Sequence, residues 1–393
     1  MAQIESHSRV LHQEDESRNV SAIPVLSALI LSVVLLVSFG IVMLYSASYG
    51  VAGVQYFTKQ VMWVGVGLAG SLAILAIGYR NLAKMSFWLL VLCLVALLAA
   101  RFCFEPVKGA YRWIRFASFS IQPSEFMKVV LALYVSNFCA ENIRSFNTFK
   151  WDGGIIKLGA VIACGCGGVL LGKDLGTTIL IMLTSVATMF AAGLAFRYLI
   201  VPLLLGVFAG FYIAFFDAER LSRVTSFLNP ELVTDGSGYQ LMLSKMALGS
   251  GGWFGVGFLK SRLKAKYLPE HHTDFILAIV GEEFGFAAII GIMIFYAVFA
   301  VSGFKIAMHA RDKLGMFLGV ALTCGIFFQA LINLAVVSGS APTKGMSAPF
   351  ISYGGSNMLS CLFATAIIIS IALDIIFPDY NETIKNCILR KKV

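Results

Sequence analysis

Runs of apolar residues, each about twenty long, recur through this 393-residue chain, and about 20 such residues is what a helix needs to cross a bilayer. Windows of that kind start near Pro24, Phe57, Met85, Gln122, Ile155, Leu175, Arg197, Asp274, Leu314 and Phe350. In hydrocarbon every backbone polar group must be satisfied within the protein, so runs of this length are read as helices. They predict an all-α polytopic membrane protein with about ten transmembrane helices and a large extracytoplasmic loop between helices 7 and 8. The charges at Lys173 and Asp174 separate the fifth run from the sixth, because a charge at bilayer depth is expensive. A composition of 59% hydrophobic and 13% charged residues excludes an ordinary soluble domain.

Charge placement orients the chain. Arg80, Lys84, Arg144, Lys150, Lys305, Arg311, Lys313, Lys385, Arg390, Lys391 and Lys392 all fall on the side of the N-terminus, which the positive-inside rule makes cytoplasmic. The expected division is a polar, disordered cytoplasmic tail over 1–21, a transmembrane domain over 22–379 with its large outer loop at 217–274, and a basic cytoplasmic tail over 380–393. The cysteines lie mostly in apolar runs and imply no disulfide framework, and Cys164-Gly-Cys166 lacks the partners of a metal site. The net charge of +9 suits anionic headgroups or an anionic substrate and, in a membrane chain, gives no reason to invoke nucleic acid.

Four polar constellations are expected on the outer face. In the first, Pro123 suits a helix first turn, and Gln122, Glu125 and Lys128 follow at spacings that share one face. Glu125 and Lys128 read equally as a structural ion pair or as part of a substrate path. Arg112 and Arg115 above them read as interface anchors or phosphate ligands. The second is the break at Lys173-Asp174-Leu175-Gly176-Thr177-Thr178, where Asp174 either caps the next helix or serves the site. The third is Gly249–Gly257, whose five glycines free the backbone to approach a ligand, to form an anion-binding nest, or simply to turn. It does not match a nucleotide P-loop.

The fourth sets Lys260, Arg262, Lys264 and Lys266 against Glu270, His271, His272 and Asp274, together with the late loop 338–357. Adjacent histidines without HExxH spacing do not make a zinc site. Glu282 and Glu283 lie deeper and off the face of Asp274, and are expected to partner a buried cation. Asp274 is a carboxylate at a membrane-water boundary beneath basic residues, a setting that tunes a group for proton abstraction.

The motifs Tyr45-Ser-Ala-Ser48, Gly109-Ala-Tyr-Arg-Trp-Ile114, Gln122-Pro-Ser-Glu-Phe-Met-Lys128, Asp174-Leu-Gly-Thr177, Tyr239-Gln240, Gly249-Ser-Gly-Gly252, Leu268-Pro-Glu-His-His-Thr-Asp-Phe275, Gly281-Glu-Glu283 and Pro349-Phe-Ile-Ser-Tyr-Gly-Gly-Ser356 occur in that order. Over Ala22 to Asp379 the chain resembles the SEDS family of bacterial peptidoglycan glycosyltransferases, and Gly249–Gly257 and Pro342-Thr-Lys-Gly345 look more like its cell-division than its elongation members. Lys173 departs from a position where the family usually has proline, and Tyr111 from one where a second arginine is common.

The resemblance implies polymerisation of lipid II into beta-1,4 glycan strands during septal wall synthesis, in the bacterial plasma membrane. The partners it implies are a class B penicillin-binding protein, an FtsI-like transpeptidase, and other divisome proteins. It implies a catalytic role for Asp274, in a cavity that Arg112, Glu125 and Lys128 also line. Asp174, Lys260, Arg262, Lys264, Lys266 and Ser352 complete the expected substrate-binding set. A divalent cation, magnesium or manganese, could share the diphosphate work, although the sequence shows no dedicated cage. A lipid II flippase and a non-catalytic divisome scaffold are the competing readings. The flippase predicts charges spread across the membrane depth, and the scaffold leaves the outward carboxylate without a purpose.

Overall fold

The computed structural model describes residues 2–48, 55–195, 237–262 and 273–377, apart from scattered loop positions. Its helices are α1 (Ala2–Ser48), α2 (Gln55–Ile77), α3 (Tyr79–Lys84), α4 (Ser86–Phe102), α5 (Pro123–Glu141), α6 (Ile155–Leu171) and α7 (Leu175–Ala191). They continue as α8 (Ser237–Gly251), α9 (Ile276–Met308), α10 (Lys313–Val337) and α11 (Gly355–Ile376). A short antiparallel hairpin, β1 (Ile114–Phe116) and β2 (Phe119–Ile121), pairs Ile114 with Ile121. From Ala22, α1 is long and apolar enough to cross a bilayer, as are α2, α9, α10 and α11, while α4, α6 and α7 are shorter apolar helices. This is the expected polytopic helical membrane architecture.

Burial orders the bundle. α11 is apolar and buried nearly all round, and it packs on α1, α2, α5 and α10. A helix without a polar face belongs in such a core. α2 packs beside it yet buries few side chains, leaving Val61, Val66, Leu68 and Leu72 to face lipid. A second apolar cluster joins α4, α5, α6 and α7 around Met127, Leu131, Val135 and Ile181.

Three expectations change. The N-terminal tail is not a separate coil, because α1 runs unbroken from Ala2. Residues 2–23 contain neither glycine nor proline, the two residues that a helix interior tolerates least. The last span opens at Gly355 rather than Phe350, since Ala348 to Tyr353 form a tight buried turn. The glycine-rich segment after α8 packs its backbone against that of α9. α9 breaks at Gly285, where φ is 77°, and the 252–257 segment fills the break. Val256 and Gly257 donate N–H groups to the carbonyls of Glu282 and Glu283 at 2.9 and 3.0 Å. Phe286 and Ala287 donate to Gly252 and Trp253 at 2.8 and 3.2 Å. A Cβ at Gly251 or Gly255 would collide with the carbonyls of Gly281 and Glu283, so the glycines permit contact between two backbones. The seventh span, expected from Arg197, lies outside the described residues, as do most of the 217–274 loop and the 380–393 tail.

One end of the bundle is closed by an ionic clasp. Arg80 bridges Asp312 at 2.8 Å and Asp374 at 2.6 Å, and the Tyr79 hydroxyl donates to the same two carboxylates at 3.0 and 3.2 Å. Asp312 also caps α10, its Oδ1 accepting from the Gly315 N–H at 2.7 Å.

Candidate functional site

At the other end, the N-termini of α5, α7, α9 and α11 converge. Pro123 occupies the first turn of α5, where its missing N–H leaves nothing unsatisfied. Gln122, just before it, donates its main-chain N–H to Ser356 of α11 at 2.8 Å and its side-chain Nε2 to Asp174 at 3.0 Å. Asp174 is the N-cap of α7, accepting from the Thr177 N–H at 3.3 Å, and its Oδ2 also accepts from Ser124 and Thr177 hydroxyls, both at 2.9 Å. Arg112 reaches over this cap, with Nη1 3.7 Å from Asp174 Oδ1 and Nη2 donating to the Lys173 carbonyl.

Asp174 was open to a capping or a substrate role, and its geometry is that of the cap. Its carboxylate is buried and its oxygens are occupied by protein donors, so what it fixes is Arg112. Arg112 keeps a partly exposed guanidinium whose Nε has no hydrogen-bond partner among the described residues. Lys173 sits at φ 63°, a conformation closed to proline, so its departure from the family's usual proline gives this turn a different path. Tyr111 carries the Arg101 guanidinium 4.0 Å over its ring.

Glu125 and Lys128 meet as their spacing predicts. Lys128 Nζ lies 2.6 Å from Glu125 Oε2, and both side chains are nearly buried. The ammonium also donates to Gln329 Oε1 at 2.7 Å, and Ser360 donates to Glu125 Oε2 at 3.3 Å. Of the two readings, the geometry is that of an internal ion pair with further hydrogen bonds to α10 and from α11.

Asp274 stands two residues ahead of α9 and is half-buried. Its side chain borders Gly345 of the late loop, where a Cβ would come 3.1 Å from Oδ2. Its main-chain carbonyl accepts from Asn333 Nδ2 at 3.0 Å, and the same amide donates to the Met346 carbonyl at 2.6 Å. Asn333 and Gln329 were not anticipated, although two amides four residues apart in an apolar span are a legible signal.

Glu282 and Glu283, expected to partner a buried cation, accept hydrogen bonds from hydroxyl and main-chain N–H groups of α1 and of the start of the basic loop. Glu282 accepts from the Ser261 hydroxyl and, at 2.9 Å, from the Arg262 N–H, and Glu283 accepts from the Ser46 hydroxyl at 2.6 Å. Lys260 and Arg262 are exposed beside them. Lys264, Lys266, Glu270, His271 and His272 lie outside the described residues. Ser352, expected to bind substrate, requires correction. It is fully buried, and its hydroxyl accepts from the Ala348 N–H at 2.8 Å, so it closes the turn before α11. Among the described residues, no group of three His, Cys, Asp or Glu side chains is arranged to hold a metal ion.

Residues 27–375 match the FtsW/RodA/SpoVE family model, described as "Cell cycle protein". The chain is 36% identical over 360 residues to a protein of Trichlorobacter lovleyi named "Probable peptidoglycan glycosyltransferase FtsW", covering 88% of this chain and 92% of that one. It is 34% identical over 353 residues to stage V sporulation protein E of Bacillus subtilis, covering 88% and 96%. A solved chain from a study of the structural coordination of polymerization and crosslinking by a peptidoglycan synthase complex superposes with a TM-score of 0.75 at 23% identity, over 88% of this chain and 97% of that one. That last likeness is one of fold.

Proposed function

The chain belongs to the FtsW/RodA/SpoVE family of cell cycle proteins, and from that premise we propose that it is a peptidoglycan glycosyltransferase that polymerises lipid II into beta-1,4 glycan strands during septal wall synthesis. The observation that supports this best is the pairing of a half-buried carboxylate, Asp274, with four converging helix N-termini and Arg112 at one end of the bundle. Helix N-termini carry partial positive charge and favour anions such as a diphosphate. A carboxylate beside them is suited to remove a proton.

The sugar of lipid II is alpha-linked to diphosphate, and the product is beta-linked, so the reaction inverts the anomeric carbon. Asp274 takes the proton of the acceptor 4-hydroxyl as that oxygen bonds to the anomeric carbon. The bond from that carbon to the diphosphate oxygen breaks, and undecaprenyl diphosphate leaves with the electron pair. Arg112, held over the α7 cap, and the exposed Lys260 and Arg262 stabilise the departing charge. Lys264 and Lys266 are proposed to join them. The Glu125–Lys128 pair is proposed as a wall beneath the substrate. A magnesium or manganese ion would, if bound, add positive charge at the diphosphate, but no side-chain cluster among the described residues forms a cage for it, and every step above uses the chain's own groups.

The proposed site faces outward at the plasma membrane of the division septum, with both termini cytoplasmic. An FtsI-like class B penicillin-binding protein is the proposed partner, alongside other divisome proteins. The test is Asp274→Asn in purified protein with that partner, given lipid II and assayed for strands on a gel. Loss of a general base costs about 10²- to 10⁴-fold in rate. Strand formation near the wild-type rate would remove Asp274 as the base, and no strands from the wild type would favour a flippase or a scaffold.

A further inference from the structure

α10 is apolar except for a few positions, and two of these, Gln329 and Asn333, are buried amides one turn apart. Their four-residue spacing puts them on one face. They clamp consecutive carbonyls of the late loop. Asn333 Nδ2 donates to Met346 at 2.6 Å, and Gln329 Nε2 donates to Ser347 at 2.8 Å. Each amide also reaches a charged element: Asn333 holds the Asp274 main-chain carbonyl at 3.0 Å, and Gln329 Oε1 accepts from Lys128 at 2.7 Å. Gln329 further donates to Asn357 of α11 at 2.9 Å.

The orientation of both amides follows from their partners. Nδ2 of Asn333 faces two carbonyl oxygens, which need a donor, and Oε1 of Gln329 faces an ammonium, which needs an acceptor. With its nitrogen so committed, Asn333 leaves Oδ1 buried without a donor among the described residues. A buried polar atom without a partner is costly, so the amide is kept for its N–H side. A leucine of similar volume would pack as well against this helix's apolar neighbours and would do neither job.

We infer that Asn333 and Gln329 are positioning residues, which fix the base Asp274 relative to the Glu125–Lys128 pair by gripping the Met346–Ser347 backbone between them. The inference rests on the reading of Asp274 as the base. Asn333 touches the main chain of Asp274, not its carboxylate, so it sets the place from which the carboxylate reaches the acceptor hydroxyl. Misplacing a reacting group by about 1 Å costs about 10²-fold in rate.

The test is Asn333→Leu in the full-length protein with its penicillin-binding partner, read in two ways. With lipid II, kcat is expected to fall about 10²-fold while KM stays within about twofold, the signature of an interaction that matters in the transition state. Hydrogen exchange, which needs no activity, is expected to show lost protection at the amides of Asp274–Ala278 and Gly345–Ala348. Should Asn333→Leu not fold, Asn333→Ala carries the same two readouts. Wild-type exchange in both segments overturns the clamp, and so does an unchanged kcat or a rise in KM alone. Lost protection in a protein whose wild type makes no strands upholds the clamp and refutes the polymerase reading instead.

Discussion

Glu125 and Lys128 form a largely buried ion pair at 2.6 Å inside the bundle, with further hydrogen bonds to Gln329 of α10 and from Ser360 of α11. Removing one partner strands a charge in a low-dielectric interior. Lys128→Met is therefore expected to destabilise the protein by about 3–5 kcal/mol, whereas the double change Glu125→Gln with Lys128→Met should recover most of that loss. Thermal unfolding of the three variants in one detergent checks it. A single variant as stable as wild type would show that the charges are not interdependent.

Gly255 has φ 77°, and a Cβ there would strike the Glu283 carbonyl. Gly255→Ala should lift the loop from α9 and release the hydrogen bonds of Val256 and Gly257. The backbone strain alone is about 1–3 kcal/mol. The expected result is a lower unfolding temperature, with hydrogen-exchange protection lost at the amides of Val256, Gly257, Phe286 and Ala287. Unchanged protection at these four amides would mean that the loop docks by another route.

Burial holds the Tyr79 phenol well above the ordinary tyrosine value of 10, and the charges of Asp312 and Asp374 add to the effect. The unfolded chain then loses this proton at lower pH than the folded one. The contribution is whole below about pH 10 and is lost as the pH climbs past it. Tyr79→Phe should lower stability at neutral pH by about 1–3 kcal/mol, through loss of the bonds to two carboxylates, and should flatten the alkaline decline. Unfolding at about pH 8 and about pH 11 compares the two slopes. Equal slopes would show that the phenol does not carry the effect.

The orientation read from loop charges has a direct test. In protein freed of its native cysteines, Ser250→Cys should react with a membrane-impermeant thiol reagent in intact cells, while Lys84→Cys should not. Both positions are exposed. The reverse labelling would place the Asp274 end of the bundle in the cytoplasm.

Much of the architecture was legible because hydrocarbon imposes one rule on every span. Apolar length located the helices, the charges at 173–174 divided α6 from α7, and Pro123 marked the start of α5. The Glu125–Lys128 pair and the Asp174 cap were legible for a related reason, since partners three residues apart need no tertiary information. The relations that stayed hidden are non-local. Nothing in the local sequence joins residue 80 to residues 312 and 374, or tells Ser352 that its hydroxyl will be spent four residues back. The glycines after α8 were legible as glycines but not in purpose, because a ligand and a second backbone ask the same thing of them. Gly285 gave a fainter sign, a single glycine after two glutamates within a span, whose meaning appears when the 252–257 segment is laid into it.

That inlay bears on how the protein is made. Without residues 252–257, α9 would enter the membrane with the carbonyls of Glu282 and Glu283 and the N–H groups of Phe286 and Ala287 unanswered at its break. An unsatisfied backbone group in hydrocarbon costs several kcal/mol. The segment that answers them precedes α9 in the chain and is translated before it. Insertion of α9 is thus a docking event as much as a partitioning one, and a defect in the preceding loop should surface as failed membrane integration of a helix whose own sequence is intact.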